Sequence, residues 1–214
     1  MRVVTRSFSV FSLLMLAVLA VPSGVSAKPR DRSTFQLVPA DATLLPCLSG
    51  NDGQSPSVEV IVRHGLRNDH LRLVLNHIKS GLHFDLFTIQ RSPLLADGTA
   101  DPAFAGFGLA WYQTDAKTFN HPSDAEIDTI LLDQIFGMDA DATVNLPATQ
   151  TLHLGLWFDD PKAAAACGFS GSTPFNGQHQ AGPLAFVSLP DGTTGLGPLC
   201  THPDTSTVPA TCKP

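Results

Sequence analysis

Alternation of apolar and polar positions is clearest between residues 58 and 90. VEVIVRHGL, LRLVLNHI and HFDLFTIQ are rich in β-branched and aromatic residues and are separated by the turn formers of LRND and KSG. Three short strands so close together predict antiparallel pairing. FGLAWYQTD (107–115), TLHLGLWFDD (151–160) and PLAFVSLP (183–190) read as further strands. In TLHLGLWFDD the period of two places Leu152, Leu154, Leu156 and Phe158 on one face and His153, Gly155 and Trp157 on the other.

Helical signals are few. Asp160 stands where an N-cap would, Pro161 at the first helical position, and Gly168 at the stop after a run of four alanines and Cys167. Residues 123–137 carry both patterns. Ser123 and Glu126 form a capping box, and Ile127, Ile130, Leu131, Gln134 and Ile135 would share a helical face. Thr129 and the surrounding β-rich neighbours favour a strand equally.

These patterns predict a mainly β protein, an antiparallel β-sandwich of the Ig-like or jelly-roll-like kind, with one or two short helices. Residues 28–57 read as an extended lead-in, with an edge strand in FQLVPADATLLPCL. Residues 58–199 form the β-sandwich domain, and 200–214 a Pro/Thr-rich tail tied by a disulfide.

The N-terminus changes where such a fold would work. Arg2 and Arg6 precede an apolar run from Phe8 to Val21, and PSGVSA supplies small residues before Ala27. This is the pattern of a secretory signal over residues 1–27. The run is shorter than the roughly 20 residues of a spanning helix. The expected location is secreted, periplasmic or cell envelope, with no membrane span after cleavage. Removing two arginines and no acids moves the formal net charge from −6 to −8. Such a surface argues against nucleic acid as a partner and leaves an extracellular protein or a glycan.

An exported chain with an even number of cysteines is expected to oxidise them. The four are Cys47, Cys167, Cys200 and Cys212. Three connectivities are open. The short Pro/Thr-rich segment between Cys200 and Cys212 favours that pair, which leaves Cys47 with Cys167.

Candidate chemistry is sparse. His70, His77 and His83 lie in one run, HLRLVLNHIKSGLHFDLF. If LRLVLNHI and HFDLFTIQ form a hairpin, loop length decides their relation. A three-residue Lys79-Ser80-Gly81 loop sets His77 across from His83, with Cβ atoms roughly 4.5–5.5 Å apart and Asp85 on the same face. That set, His77, His83 and Asp85, could hold a divalent metal. A two-residue loop instead places Leu71, Leu73, Leu75, His77, Phe84 and Leu86 on one core face and separates the histidines. The apolar pattern favours the second register; a third option is that the two strands belong to different sheets. No cofactor is otherwise implied.

GFSGS at 168–172 lacks the second glycine of a serine elbow. No catalytic residue is assigned from the sequence. Trp111 and Trp157, with His153 beside Trp157 on its strand face, are candidate ligand-binding residues, since an outward tryptophan can stack on a sugar. The leading expectation is a non-enzymatic binding or structural module. A metal-binding protein or metal-dependent enzyme and a carbohydrate-binding module are the alternatives.

Overall fold

The computed structural model describes residues 32–65, 69–118, 123–129, 138–139, 153–169 and 181–213. The protein is mainly β, as the alternation predicts. Among the described residues nine strands make one antiparallel sheet: β1 (Arg32–Pro39), β2 (Ser57–Arg63), β3 (Asp69–Asn76), β4 (His83–Ile89), β5 (Leu109–Lys117), β6 (Ser123–Thr129), β7 (Met138–Asp139), β8 (His153–Phe158) and β9 (Leu184–Ser188). Their spatial order is β6-β3-β2-β1-β9-β8-β4-β5-β7. A second, two-stranded ribbon pairs β10 (Pro203–Asp204) with β11 (Thr211–Cys212).

The order requires curvature. Seven interstrand steps separate β6 from β5, about 34 Å if the sheet were flat. The chain from Lys117 at the end of β5 to Ser123 at the start of β6 reaches at most about 22 Å. The sheet therefore curls into a half-barrel, a sandwich-like arrangement made from one continuous sheet.

Its inner face carries the main core. Leu37, Val58, Val60, Val62, Leu71, Leu73, Leu75, Phe84, Leu86, Leu154, Leu156, Phe158 and Phe186 are all buried there. A second core lies on the outer face, where Trp157, Phe87, Ile89, Leu94, Ala110 and Val187 pack with Phe107. Strand β8 is consequently buried at every position, with Leu154, Leu156 and Phe158 in one core and Trp157 in the other. Gly155 makes this possible. A Cβ there would sit 2.5 Å from Cζ3 of Trp157, so the indole ring occupies the space that a side chain would fill.

One end of the half-barrel is plugged. After β1, a short helical segment, Ala42–Leu44 running into Leu45–Leu48, starts at Asp41, whose carboxylate accepts from the Thr43 amide. After β8, the 3-10 helix Pro161–Cys167 starts at Asp160, which accepts from Lys162 N, and stops at Gly168, whose φ is +83°. This is the helix expected from the capping residues. The Cys47–Cys167 disulfide ties the two segments together. Cys200–Cys212 closes the C-terminal ribbon, so both expected pairings are present.

Residues 123–129, whose pattern suits helix and strand equally, are a strand paired antiparallel with β3, while 130–137 lie outside the described residues. Two expectations need correction. The strand in the lead-in is not at an edge: β1 lies between β2 and β9. The other concerns β3 and β4, which do not form a hairpin. Strand β3 pairs with β2 and β6, and β4 with β5 and β8. Between them the chain crosses the plugged end. His77 takes a left-handed φ of 58°, Ile78 bridges to Ser49, and Ile78 and Leu82 drop into the main core.

Candidate functional site

The other end of the half-barrel is built from the end of β4, the start of β8 and the end of β9. A concavity of about 420 Å³ opens there, lined by His153, Gln90, Arg91, Ser92, Asp101 and Leu196 among others. That volume falls within the range of small-molecule pockets. An adjoining hollow of about 450 Å³ shares Pro190, Thr194 and Leu196 with it. Its one charged side chain is Asp191, engaged by the amides of Thr193 and Thr194, whereas the His153 concavity sets an imidazole and the Arg91 guanidinium beside Asp101 and is the chemically better equipped of the two.

Local sequence explains the walls. The 91–106 loop is closed by the Asp97-Gly98 turn, where Asp97 accepts from the Thr99 amide and Gly98 takes a φ of +82°. The Phe107 carbonyl accepts from the amides of Gln90 and Arg91. Phe107 also packs edge-on against Trp157 at 5.2 Å, which anchors the loop to the outer core. The loop at 190–197 is set by Asp191, and the hydrogen bonds from Thr194 and Thr193 hold its carboxyl below the usual range. Pro209 and Ala210, from the disulfide-closed ribbon, form a third wall.

His153 forms the floor and is almost wholly buried. Its Nδ1 lies 3.2 Å from the Ser188 carbonyl oxygen and 3.0 Å from Ser188 Oγ. A carbonyl can only accept, so Nδ1 carries the proton. Ser188 Oγ in turn accepts from the Leu154 amide at 3.1 Å. The neutral ring then has its lone pair on Nε2, which is the ring nitrogen left for a ligand. Burial pushes the imidazole pKa down to about 4, against a smaller opposing effect of the Ser188 hydrogen bond. Near neutral pH the floor is therefore an uncharged acceptor. Arg91, half-buried at the rim, donates to the Ala103 carbonyl and keeps further N–H groups.

The chain has no match among protein-family models, curated proteins or solved structures.

Of the candidate ligand-binding residues, His153 lies at this pocket. Trp157 does not face solvent: it is fully buried between Phe87 and Phe107, because Gly155 and the 91–107 loop cover the outer face of β8. Trp111 lies in β5, its backbone in register with Thr88 of β4, and its side chain lies outside the described part. Its neighbour Tyr112 is exposed and donates to Asp115 at 2.6 Å. Partial burial, then Asp115, raise its phenol pKa.

The candidate metal residues are not brought together. His77 leaves β3 and pairs with Asp52 at 2.6 Å. His83 stands across from Lys117. Asp85 is buried in β4, in register with Trp157 on one side and Asp115 on the other. With no β3–β4 hairpin, neither register of the expected pair exists. Among the described residues no three His, Cys, Asp or Glu side chains are placed to hold a metal. His70, the third histidine of that run, is half-buried in β3.

Sequence reasoning passed over one constellation. Ser33 Oγ is 3.0 Å from Nε2 of His64, and His64 Nδ1 is 3.2 Å from Asp69 Oδ2. The three come from β1, the turn after β2 and the start of β3. No spacing motif marks them, because 31 residues separate Ser33 from His64.

Proposed function

We propose that the protein is an exported, disulfide-stabilised β module that binds a small hydroxylated ligand, such as a terminal sugar unit, in the His153 pocket. No chemistry is assigned to that pocket, and the role there is binding. The observation that carries the reading is a buried, neutral His153 whose Nε2 is an acceptor in a concave site beside Arg91 and Asp101. A hydroxyl can donate to Nε2 or to Asp101 and accept from Arg91, while Leu94, Leu95 and Leu196 offer apolar contact to a ring face. Two disulfides, and the lack among the described residues of any helix long and apolar enough to cross a membrane, support an extracellular or envelope setting.

The test is a titration of the ¹⁵N-labelled protein with a panel of monosaccharides and disaccharides at millimolar concentration. Binding should move the amide signals of Gln90, Ser92 and Leu196 together with the His153 side-chain nitrogens. Arg91→Ala and Asp101→Asn, both on the rim, should weaken it about tenfold or more, as expected for loss of one charge-assisted hydrogen bond. A panel that moves none of these signals would exclude the ligand class.

A further inference from the structure

We infer that Ser33, His64 and Asp69 form a second site, distinct from the binding pocket, that performs acyl transfer on carboxylic esters. Asp69 is an acceptor through both oxygens: Oδ2 faces His64 Nδ1, and Oδ1 accepts from the Gly65 amide at 3.2 Å. A carboxylate partner requires Nδ1 to carry a proton. In the neutral imidazole, the form a general base needs, Nε2 then holds the lone pair, and the hydrogen bond at 3.0 Å runs from Ser33 Oγ–H to Nε2. This is the order needed of nucleophile, base and orienting carboxylate.

Exposure is graded in the same direction. Asp69 is buried at 7 % and the His64 side chain is 18 % exposed. Ser33 is half-buried on the first turn of strand after Arg32. The carboxylate is kept from water, while the hydroxyl remains within reach of a substrate. Antiparallel pairing holds the geometry, with Ser33 in register with Val62 of β2, and Arg63 of β2 in register with His70 of β3.

The reaction balances without a cofactor. Ser33 Oγ attacks the ester carbonyl carbon as its proton passes to His64 Nε2. The tetrahedral intermediate collapses and the alkoxide leaves, taking that proton as it becomes the alcohol and leaving acyl-Ser33. Water then attacks the acyl carbon and gives a proton to Nε2. The carboxylic acid departs, and Ser33 Oγ recovers the proton. His64 acts on the reacting atoms. Asp69 is a positioning residue that holds the tautomer.

The test uses the purified chain, a p-nitrophenyl alkanoate and a fluorophosphonate probe, whose phosphorus Ser33 attacks with loss of fluoride. Peptide mass analysis should find the phosphonyl group on Ser33. Ser33→Ala should remove both label and hydrolysis, and His64→Ala should lower hydrolysis about 10²–10⁴-fold. Asp69→Asn, which reverses the tautomer preference, should lower it while leaving KM little changed. Circular dichroism and pocket NMR signals show whether each variant is folded. A folded wild type that takes no label at Ser33, or hydrolysis undiminished in Ser33→Ala, would overturn the assignment. So would variants that lose stability but match wild type in hydrolysis, because the three residues would then only pin strand ends.

Discussion

Acidification should weaken the fold through one residue, His153. Its pKa is pushed down to about 4 by burial, from an ordinary 6.5. As pH falls through 6.5, the unfolded chain takes up a proton at this position and the folded chain does not. Stability contributed by the neutral, buried ring is thus fully present above pH 6.5. It is lost progressively down to about pH 4, below which both states are protonated and the loss stops growing. The gap corresponds to about 3 kcal/mol, a large share of the 5–15 kcal/mol typical of a domain. Asp191 and Asp204, whose carboxyls are held below the usual range by hydrogen bonds, lose their ionisation at lower pH and fall outside this window. The assay is urea unfolding at closely spaced pH values between 4 and 8, on wild type and His153→Asn. Asparagine can still donate to the Ser188 carbonyl but has no proton to gain, so the variant should lack most of the slope between pH 6.5 and 4. An unchanged slope in His153→Asn, or an NMR titration of His153 with a midpoint near 6.5, would refute the reasoning.

Gly155→Ala places a methyl group 2.5 Å from Cζ3 of Trp157 and 3.1 Å from Cδ1 of Leu184. It should cost about 1–3 kcal/mol by overpacking, read by urea unfolding, with a red shift of emission if the indole is displaced. Replacing both Cys47 and Cys167 by alanine opens a crosslink across a sequence separation of 120. Loop entropy sets its loss at about 5 kcal/mol, and a change below about 1 kcal/mol in the denaturation midpoint analysis would contradict this. Cys200 and Cys212 span only 12 residues, worth about 3 kcal/mol locally by the same relation. Their removal should loosen the ribbon first, seen as altered NMR signals of Gln90 and Leu196 at the pocket and faster proteolysis near Val208, while the main core stays folded.

How much of this could be read in advance depends on how local the determinants are. The strand faces of β8, the 3-10 helix from Asp160 to Gly168 and both disulfides were legible, since each follows from neighbouring residues or from a count of four cysteines. The hairpin at Lys79-Ser80-Gly81 was misleading for the same reason. Its turn residues are suitable, but Ile78 and Leu82 gain more by burial across the plugged end than a local ladder would return. Trp157 is a candidate outward residue on alternation alone, which cannot reveal the second core on the outer face, supplied by Phe107 and Leu94 from a loop. His153 was placed on the correct strand face, but its pocket depends on loops some 60 residues before it and 40 to 60 after. Ser33, His64 and Asp69 meet only through strand register, which no short motif encodes.

The seam between β1 and β9 has a consequence for how the chain must be made. It consists of three residue pairs, Leu37 to Pro39 against Phe186 to Ser188, and it joins β6-β3-β2-β1 to β9-β8-β4-β5-β7. A chain emerging N-terminus first completes β1 about 145 residues before β9 begins. At 5–20 residues per second, that leaves one edge of β1 open for roughly 7–30 seconds. During that interval the partial sheet exposes backbone donors and acceptors, together with the apolar face of Leu37, to any other strand nearby. Folding is therefore non-local and slow to close, and synthesis in a crowded compartment would favour aggregation.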